Sequence, residues 1–280
     1  MKNLFYFLAS FLLFSCNNEK ASISTDKSKE LQEQITTPEF QTILDSANVS
    51  GAVLIYDEEA NQYFSNDFAW SKKGQLPAST FKIPNSIIAL ETGVVADDST
   101  LFKWNGKQRA FKVWEQDLIF RNAFKYSCVP CYQEVARKIG VNRMKNYLEK
   151  LDYGNIQFDS TTIDNFWLTG PSIITPFQEI DFLKRFYHAK LPISKRTENL
   201  VKSIMVLERK PNYILSGKTG WSINDDINNG WFVGYLETKS KVYFFATNIQ
   251  PSPTLNMDLF PQIRKIVTRQ AFQALKVVDQ

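Results

Sequence analysis

Gly230-Trp231-Phe232-Val233-Gly234-Tyr235-Leu236 and Lys241-Val242-Tyr243-Phe244-Phe245-Ala246-Thr247, joined by the polar Glu237-Thr238-Lys239-Ser240, read as two adjacent strands. Gly51-Ala52-Val53-Leu54-Ile55-Tyr56 and Gln62-Tyr63-Phe64-Ser65, around the polar Asp57 to Asn61, read as a hairpin near the other end. Between these ends the period changes. From about residue 79 to about residue 205 apolar positions recur at helical spacing, as in Tyr132, Val135, Ala136 and Ile139, closed by Gly140. A further helix from Asn142 places Met144, Tyr147, Leu148 and Leu151 on one face, and Phe260 to Val277 reads as a closing amphipathic helix with Pro261 in its first turn. Strands at both ends with helices between them predict an α+β fold. It is an antiparallel sheet flanked by terminal helices, with an all-helical lobe inserted over about residues 79–205.

The 280 residues are 44% hydrophobic and 22% charged, a globular balance that excludes disorder, collagen, a coiled coil and a polytopic membrane protein. Thirty-three Lys plus Arg against 29 Asp plus Glu give +4, spread without a basic block, so nucleic acid is not an expected partner. Histidine is scarcer than any other feature: His188 stands alone, beside three cysteines, Cys16, Cys128 and Cys131. A Ser-His-Asp triad would have to use His188, and a metal site would have almost no ligands, so no metal is expected. His188, in Phe186-Tyr187-His188-Ala189-Lys190, reads as a hydrogen-bonded structural side chain. A nucleophile in this chain therefore needs a base other than imidazole.

Lys2 followed by the apolar run Leu4 to Phe14 reads as a signal peptide over residues 1–15, too short to span a bilayer as a mature helix. Leu13-Phe14-Ser15-Cys16 is similar to a bacterial lipobox, which predicts lipidation of Cys16, a flexible polar tether over 16–37 and a membrane-tethered protein on the periplasmic face. The folded domain is expected from Pro38 to residue 280.

Ser79-Thr80-Phe81-Lys82 follows Pro77-Ala78 and precedes the apolar Ile83 to Leu90, at a predicted helix start. Three residues apart on a helix, serine and lysine share a face, so the amine can take the hydroxyl proton. As a base near neutrality the lysine must fall from about 10.4 to roughly 7 or 8, which desolvation or nearby positive charge supplies. The motif alone is weak, for Ser24-Thr25-Asp26-Lys27 repeats it in the tether. Its company is stronger: Ser127-Cys128-Val129, Tyr153-Gly154-Asn155, Trp167 and Lys218-Thr219-Gly220 follow in order. A phosphate-loop reading of Gly217-Lys218-Thr219 fails, because the earlier glycine it needs falls at Asn212.

In these elements the chain resembles the class D, oxacillinase-type, serine β-lactamases of the penicillin-recognising enzymes. The likeness extends through Lys103-Trp104-Asn105-Gly106, Trp114-Glu115-Gln116-Asp117 and Val129-Pro130-Cys131-Tyr132-Gln133-Glu134 to Gly230-Trp231-Phe232-Val233-Gly234, covering the chain from about Ser50 onward. The resemblance implies hydrolysis of β-lactams through an acyl-enzyme on Ser79. Lys82 is implied as N-carboxylated general base, needing carbon dioxide or bicarbonate but no other cofactor. Trp167 is implied as donor to the carbamate, Ser127 as proton relay to the leaving nitrogen, and Lys218 as the group that biases it. Val129 would line the lysine pocket. The oxyanion hole would be the N–H groups of Ser79 and Trp221, on the strand carrying Thr219 and Gly220, while Arg264 with the Thr219 hydroxyl would bind the substrate carboxylate. A penicillin-binding sensor or cell-wall peptidase of the same fold is the alternative; oligomeric state and preferred β-lactam stay open.

Cys128 and Cys131 are expected as buried free thiols; export permits a bridge, but so short a loop is geometrically demanding. Tyr153-Gly154-Asn155 is expected to be structural, and Trp104, Trp114 and Trp231 are expected in the core.

Overall fold

The computed structural model describes Met1 and residues 32–279; the expected signal core and Cys16 lie outside the described residues. In chain order come β1 (Glu33–Thr36), α1 (Pro38–Ser46), β2 (Val49–Asp57), β3 (Gln62–Ser65), α2 (Phe68–Ser71), α3 (Lys82–Glu91), β4 (Leu101–Phe102), β5 (Leu118–Ile119) and α4 (Phe120–Lys125). They are followed by α5 (Val129–Ile139), α6 (Val141–Leu151), α7 (Pro176–Tyr187), α8 (Lys195–Met205), β6 (Val206–Arg209), β7 (Tyr213–Asn224), β8 (Ile227–Thr238), β9 (Val242–Pro251) and α9 (Phe260–Ala274). The main sheet has the order β1-β3-β2-β9-β8-β7-β6. Its pairs are antiparallel except β1 with β3.

Alternation builds the layers. Along β8, Trp231, Val233 and Tyr235 join the core shared with the inserted helices, while Phe232 and Leu236 join the one beneath α1 and α9. Strand β9 does the same with Phe244 and Ala246 on one side and Tyr243 and Phe245 on the other. Period-two side chains buried on both faces make these the central strands. The terminal helices cover one face and the inserted helices the other, as the chain order predicts.

Three expectations are corrected. Strand β1 lies inside the stretch expected as tether: its polar residues need little burial at a sheet edge, where the ladder to β3 satisfies their backbone and Gln62 Nε2 donates to Glu33 at 2.6 Å. The inserted lobe is helical but for the β4–β5 ladder, which closes an excursion over residues 103–117. That excursion carries Trp104 out of the core to 36% exposure, its indole held by the Lys107 carbonyl, whereas Trp114 and Trp231 are buried as expected. His188 caps α7 and bonds Glu58 through Nε2 at 2.7 Å, the structural place expected for it.

Helix α5 buries Tyr132, Val135, Ala136 and Ile139, and α6 buries Met144, Leu148 and Leu151. Each of the larger aliphatic side chains among them stabilises the lobe by about 1.5–3 kcal/mol. Gly140, at φ 78°, joins the two helices in a conformation that costs a glycine nothing.

Candidate active site

Ser79 lies in a 3₁₀ turn, Ala78–Phe81, that runs directly into α3, so Lys82 opens the helix one turn beyond the hydroxyl. Lys82 Nζ donates to Ser79 Oγ at 2.9 Å. Lys82 is only 1% exposed, and burial pulls its ammonium down to about 7. No carboxylate pairs with it among the described residues, and its nearest aromatic face is Tyr132, 5.1 Å from Nζ. The amine is thus available as a neutral nucleophile near pH 7. Ala78 holds φ 51°, a left-handed conformation that costs a non-glycine residue about 1–2 kcal/mol. The turn that presents the hydroxyl is therefore strained and must be held from outside.

Trp167 stacks on Phe81, with ring centroids 5.6 Å apart, beneath this turn. Its indole is wholly buried, and Nε1 finds no acceptor among the described residues. A donor-only group left unpaired in a core costs about 1–3 kcal/mol, so the pocket is short of one acceptor.

Ser127 closes α4 at φ 52°, and Lys218 Nζ donates both to Ser127 Oγ and to the Thr219 carbonyl, the latter at 2.9 Å. Burial first, and then the positive charges of Lys82, Arg264 and Lys265, hold the Lys218 ammonium well below its ordinary range. Ser127 and Lys218 are thereby brought together, as the family resemblance implied. Between Ser127 and Val129 the structure corrects the sequence: Cys128 and Cys131 are bridged, with Cα atoms 5.4 Å apart. Cys128 is the N-cap of α5 and Cys131 falls in its first turn, so the helix itself brings the two within bridging range. Val129, at the first position of α5, is half-buried against the core.

Strand β7 passes the nucleophile turn with its outer edge free of sheet pairing from Gly217 onward, because β6 pairs it only over Ile214 to Ser216. Gly220 is the point of closest approach: a Cβ there would lie 3.1 Å from the Pro77 carbonyl oxygen, and 3.2 Å from Ser79 N. A side chain there would have to push the turn back by a few tenths of an ångström, so glycine suits the strand's close approach to the Ser79 N–H, which has no backbone acceptor among the described residues. Trp221 follows on the same strand, its indole donating to Asn228.

Arg264 reaches this strand from α9. Gly230 makes room for it, since a Cβ at that position would lie 2.9 Å from Arg264 Cδ. The guanidinium donates through Nη1 to the Gly220 carbonyl and through Nη2 to Pro261 O at 3.1 Å, and burial lowers it to about 10. It has no carboxylate partner among the described residues. Lys218 and Thr219 open onto a cavity of about 330 Å³ lined also by Arg121, Lys125 and Lys265 and by no acidic side chain. A buried fork and a cationic, acid-free lining suit a ligand carboxylate.

Residues 42–264 match the family model described as the penicillin-binding protein transpeptidase domain. The chain is 42% identical over 220 residues to the β-lactamase OXA-48 of Klebsiella pneumoniae, covering 79% of this chain and 83% of that one. It is 44% identical over 204 residues to OXA-10 of Pseudomonas aeruginosa, covering 72% and 76%. Among solved structures, a class D β-lactamase from Nostoc matches at TM-score 0.81 and 45% identity over 85% of this chain and 99% of its own. Another from Sebaldella termitidis matches at TM-score 0.84 and 38% identity, covering 89% and 100%.

The chain belongs to the class D β-lactamases. It is accordingly a serine β-lactamase, with the α+β fold expected of one. Among the described residues of this β-lactamase no group of three His, Cys, Asp or Glu could hold a metal ion.

Sequence reasoning missed one cluster beside the site. Glu179, fully buried on α7, places Oε1 2.6 Å from Thr80 Oγ1 and 2.9 Å from Tyr153 Oη, and burial raises its carboxyl to about 7. Tyr153-Gly154-Asn155 is the structural element expected, with Gly154 at φ 60° and Asn155 exchanging backbone bonds with Ile173. A signal for Glu179 was present. It stands on the apolar stripe of α7 with Leu183 and Phe186, where an acidic residue is out of place.

Proposed function

We propose that this enzyme hydrolyses β-lactams through an acyl-enzyme on Ser79, with Lys82, carboxylated on Nζ by carbon dioxide, as general base. The observation that carries the reading is the buried Lys82 amine, 2.9 Å from the Ser79 hydroxyl and without a carboxylate partner among the described residues, together with the Trp167 indole, which finds no acceptor among them. Only a neutral amine adds to carbon dioxide, and the product is an anion able to supply the acceptor Trp167 lacks.

In this scheme Ser79 loses its proton to the base as Oγ attacks the lactam carbonyl. The N–H groups of Ser79 and Trp221 stabilise the oxyanion, each donor contributing about 3–4 kcal/mol. Ser127, polarised by Lys218, delivers a proton to the departing nitrogen. Arg264 with the Thr219 hydroxyl holds the substrate carboxylate, and Val129 keeps the lysine pocket dry. Water then attacks the ester, activated by the same base. The polar run before the domain and the lipobox-like Leu13-Phe14-Ser15-Cys16 support a tethered lipoprotein on the periplasmic face.

Steady-state turnover of a chromogenic cephalosporin, with mass spectrometry of Ser79 peptides, tests the scheme. Lys82→Ala is expected to cut turnover by about 10²–10⁴-fold, and Ser79→Ala to abolish the adduct. A single-equivalent burst without turnover in the wild type would refute the hydrolytic reading.

A further inference from the structure

Three oxygen pairs run in series behind the nucleophile turn. Thr80 Oγ1 lies 2.7 Å from the Pro77 carbonyl oxygen and 2.6 Å from Glu179 Oε1, which in turn lies 2.9 Å from Tyr153 Oη. Each separation is a hydrogen-bond distance and needs one proton. The Pro77 carbonyl has none to give. Thr80 and Tyr153 carry one each, which leaves one pair without a proton if Glu179 is ionised. A third proton, on Glu179, completes the series: Tyr153 donates to Glu179, Glu179 donates to Thr80, and Thr80 donates to Pro77 O.

We propose that Glu179 is a positioning residue that works as a carboxylic acid, and that its proton fixes the Pro77-Ala78 turn from which Ser79 attacks. Glu179 Oε2 has no partner among the described residues, a place a neutral carbonyl oxygen tolerates far better than a carboxylate. The direction of its titration agrees, since burial lifts the carboxyl to about 7. Charge around it is absent. From the nucleophile turn it faces Thr80 and from beyond α6 Tyr153, itself held neutral by burial. On the strands packed against α7, Asp57 of β2 bonds Ala60 N and Lys241, and Glu237 of β8 accepts from Tyr187; β9 carries no charged residue. On α7 itself Asp181 pairs with Arg185, and Lys184 lies over Tyr56.

The consequence is local. When Glu179 ionises, the Thr80 hydroxyl turns toward the carboxylate and leaves Pro77 O with only the longer bond from the Thr80 N–H, at 3.2 Å. That oxygen belongs to the peptide before Ala78, held at φ 51°, and abuts Gly220 of β7. The brace common to the turn and the strand edge is then weaker.

The inference rests on Ser79 as nucleophile, and the test separates the two. Carbon-13 NMR of the wild type labelled at glutamate carboxyls is expected to show one resonance titrating near 7, and Glu179→Gln removes it. With bicarbonate saturating, wild-type kcat/KM is expected to fall about tenfold as the pH rises from about 7 to about 9. An amide keeps a non-titrating proton for Thr80, so Glu179→Gln loses that alkaline fall, whatever its level of activity. Absence of the high-titrating resonance, or an equal alkaline fall in Glu179→Gln, overturns the proposal. Failure to find an adduct on Ser79 overturns the nucleophile instead, and leaves the NMR result to decide on the proton.

Discussion

Replacing Trp167 by phenylalanine separates an electrostatic role from a packing role at one buried position. The indole is wholly buried and its N–H has no acceptor while Lys82 is a plain amine. Removing that N–H relieves a penalty of about 1–3 kcal/mol, which offsets the loss of ring volume, a fraction of the roughly 3–5 kcal/mol of a full truncation. In bicarbonate-free buffer the variant should therefore melt close to the wild type. Carboxylated Lys82 is another matter. A charge-assisted bond from a buried donor contributes about 2 kcal/mol, equivalent to about a 30-fold change in an equilibrium constant. The variant should need roughly that much more bicarbonate for half-maximal activity. Carbon-13 NMR with labelled bicarbonate reads the Lys82 carbamate directly, and chromogenic cephalosporin hydrolysis reads its consequence. An unchanged bicarbonate requirement in Trp167→Phe, with activity and melting lost together, would show that the indole only fills space.

Below about pH 7 the Lys82 amine takes up a proton and can no longer hold carbon dioxide, the neutral fraction falling tenfold per pH unit; activity should decay in acid and recover faster with added bicarbonate on return to neutrality. Arg264→Ala should raise KM about 10–100-fold for substrates bearing the carboxylate, the loss expected of a charged fork, with a smaller rise for Arg264→Lys; initial rates at varied substrate check this. Replacing both Cys128 and Cys131 by alanine should cost about 2 kcal/mol for a loop this short, read as a melting point lowered by about 5 °C; reduction of the wild type should give the same shift.

How much was legible can be argued residue by residue. Strands β8 and β9 were plain because period-two aromatics fill both cores, and α5 and α6 because their apolar stripes end at Gly140. The pair Ser79 with Lys82 was legible from its spacing on one helix face, whereas Ser127 with Lys218, 91 residues apart, was legible only through the family resemblance. Strand β1 was not, because an exposed edge strand leaves no hydrophobic alternation to read. The Cys128–Cys131 bridge depends on where α5 begins, and a shift of one residue would change which thiols face each other. Glu179 joins Thr80 and Tyr153 across 99 and 26 residues of sequence, a meeting that only the packing of α7 behind the 3₁₀ turn creates.

The short reach of β6 leaves the margin of β7 from Gly217 to Gly220 without a neighbouring strand, and Gly217, Lys218 and Thr219 line the cavity there. Along this main-chain rail only proline removes an amide N–H, so other substitutions reshape the rim without deleting a backbone donor. Resistance profiles in this enzyme are therefore expected to drift through the Asn224–Ile227 hairpin and the surrounding loops, while the rail itself stays constant.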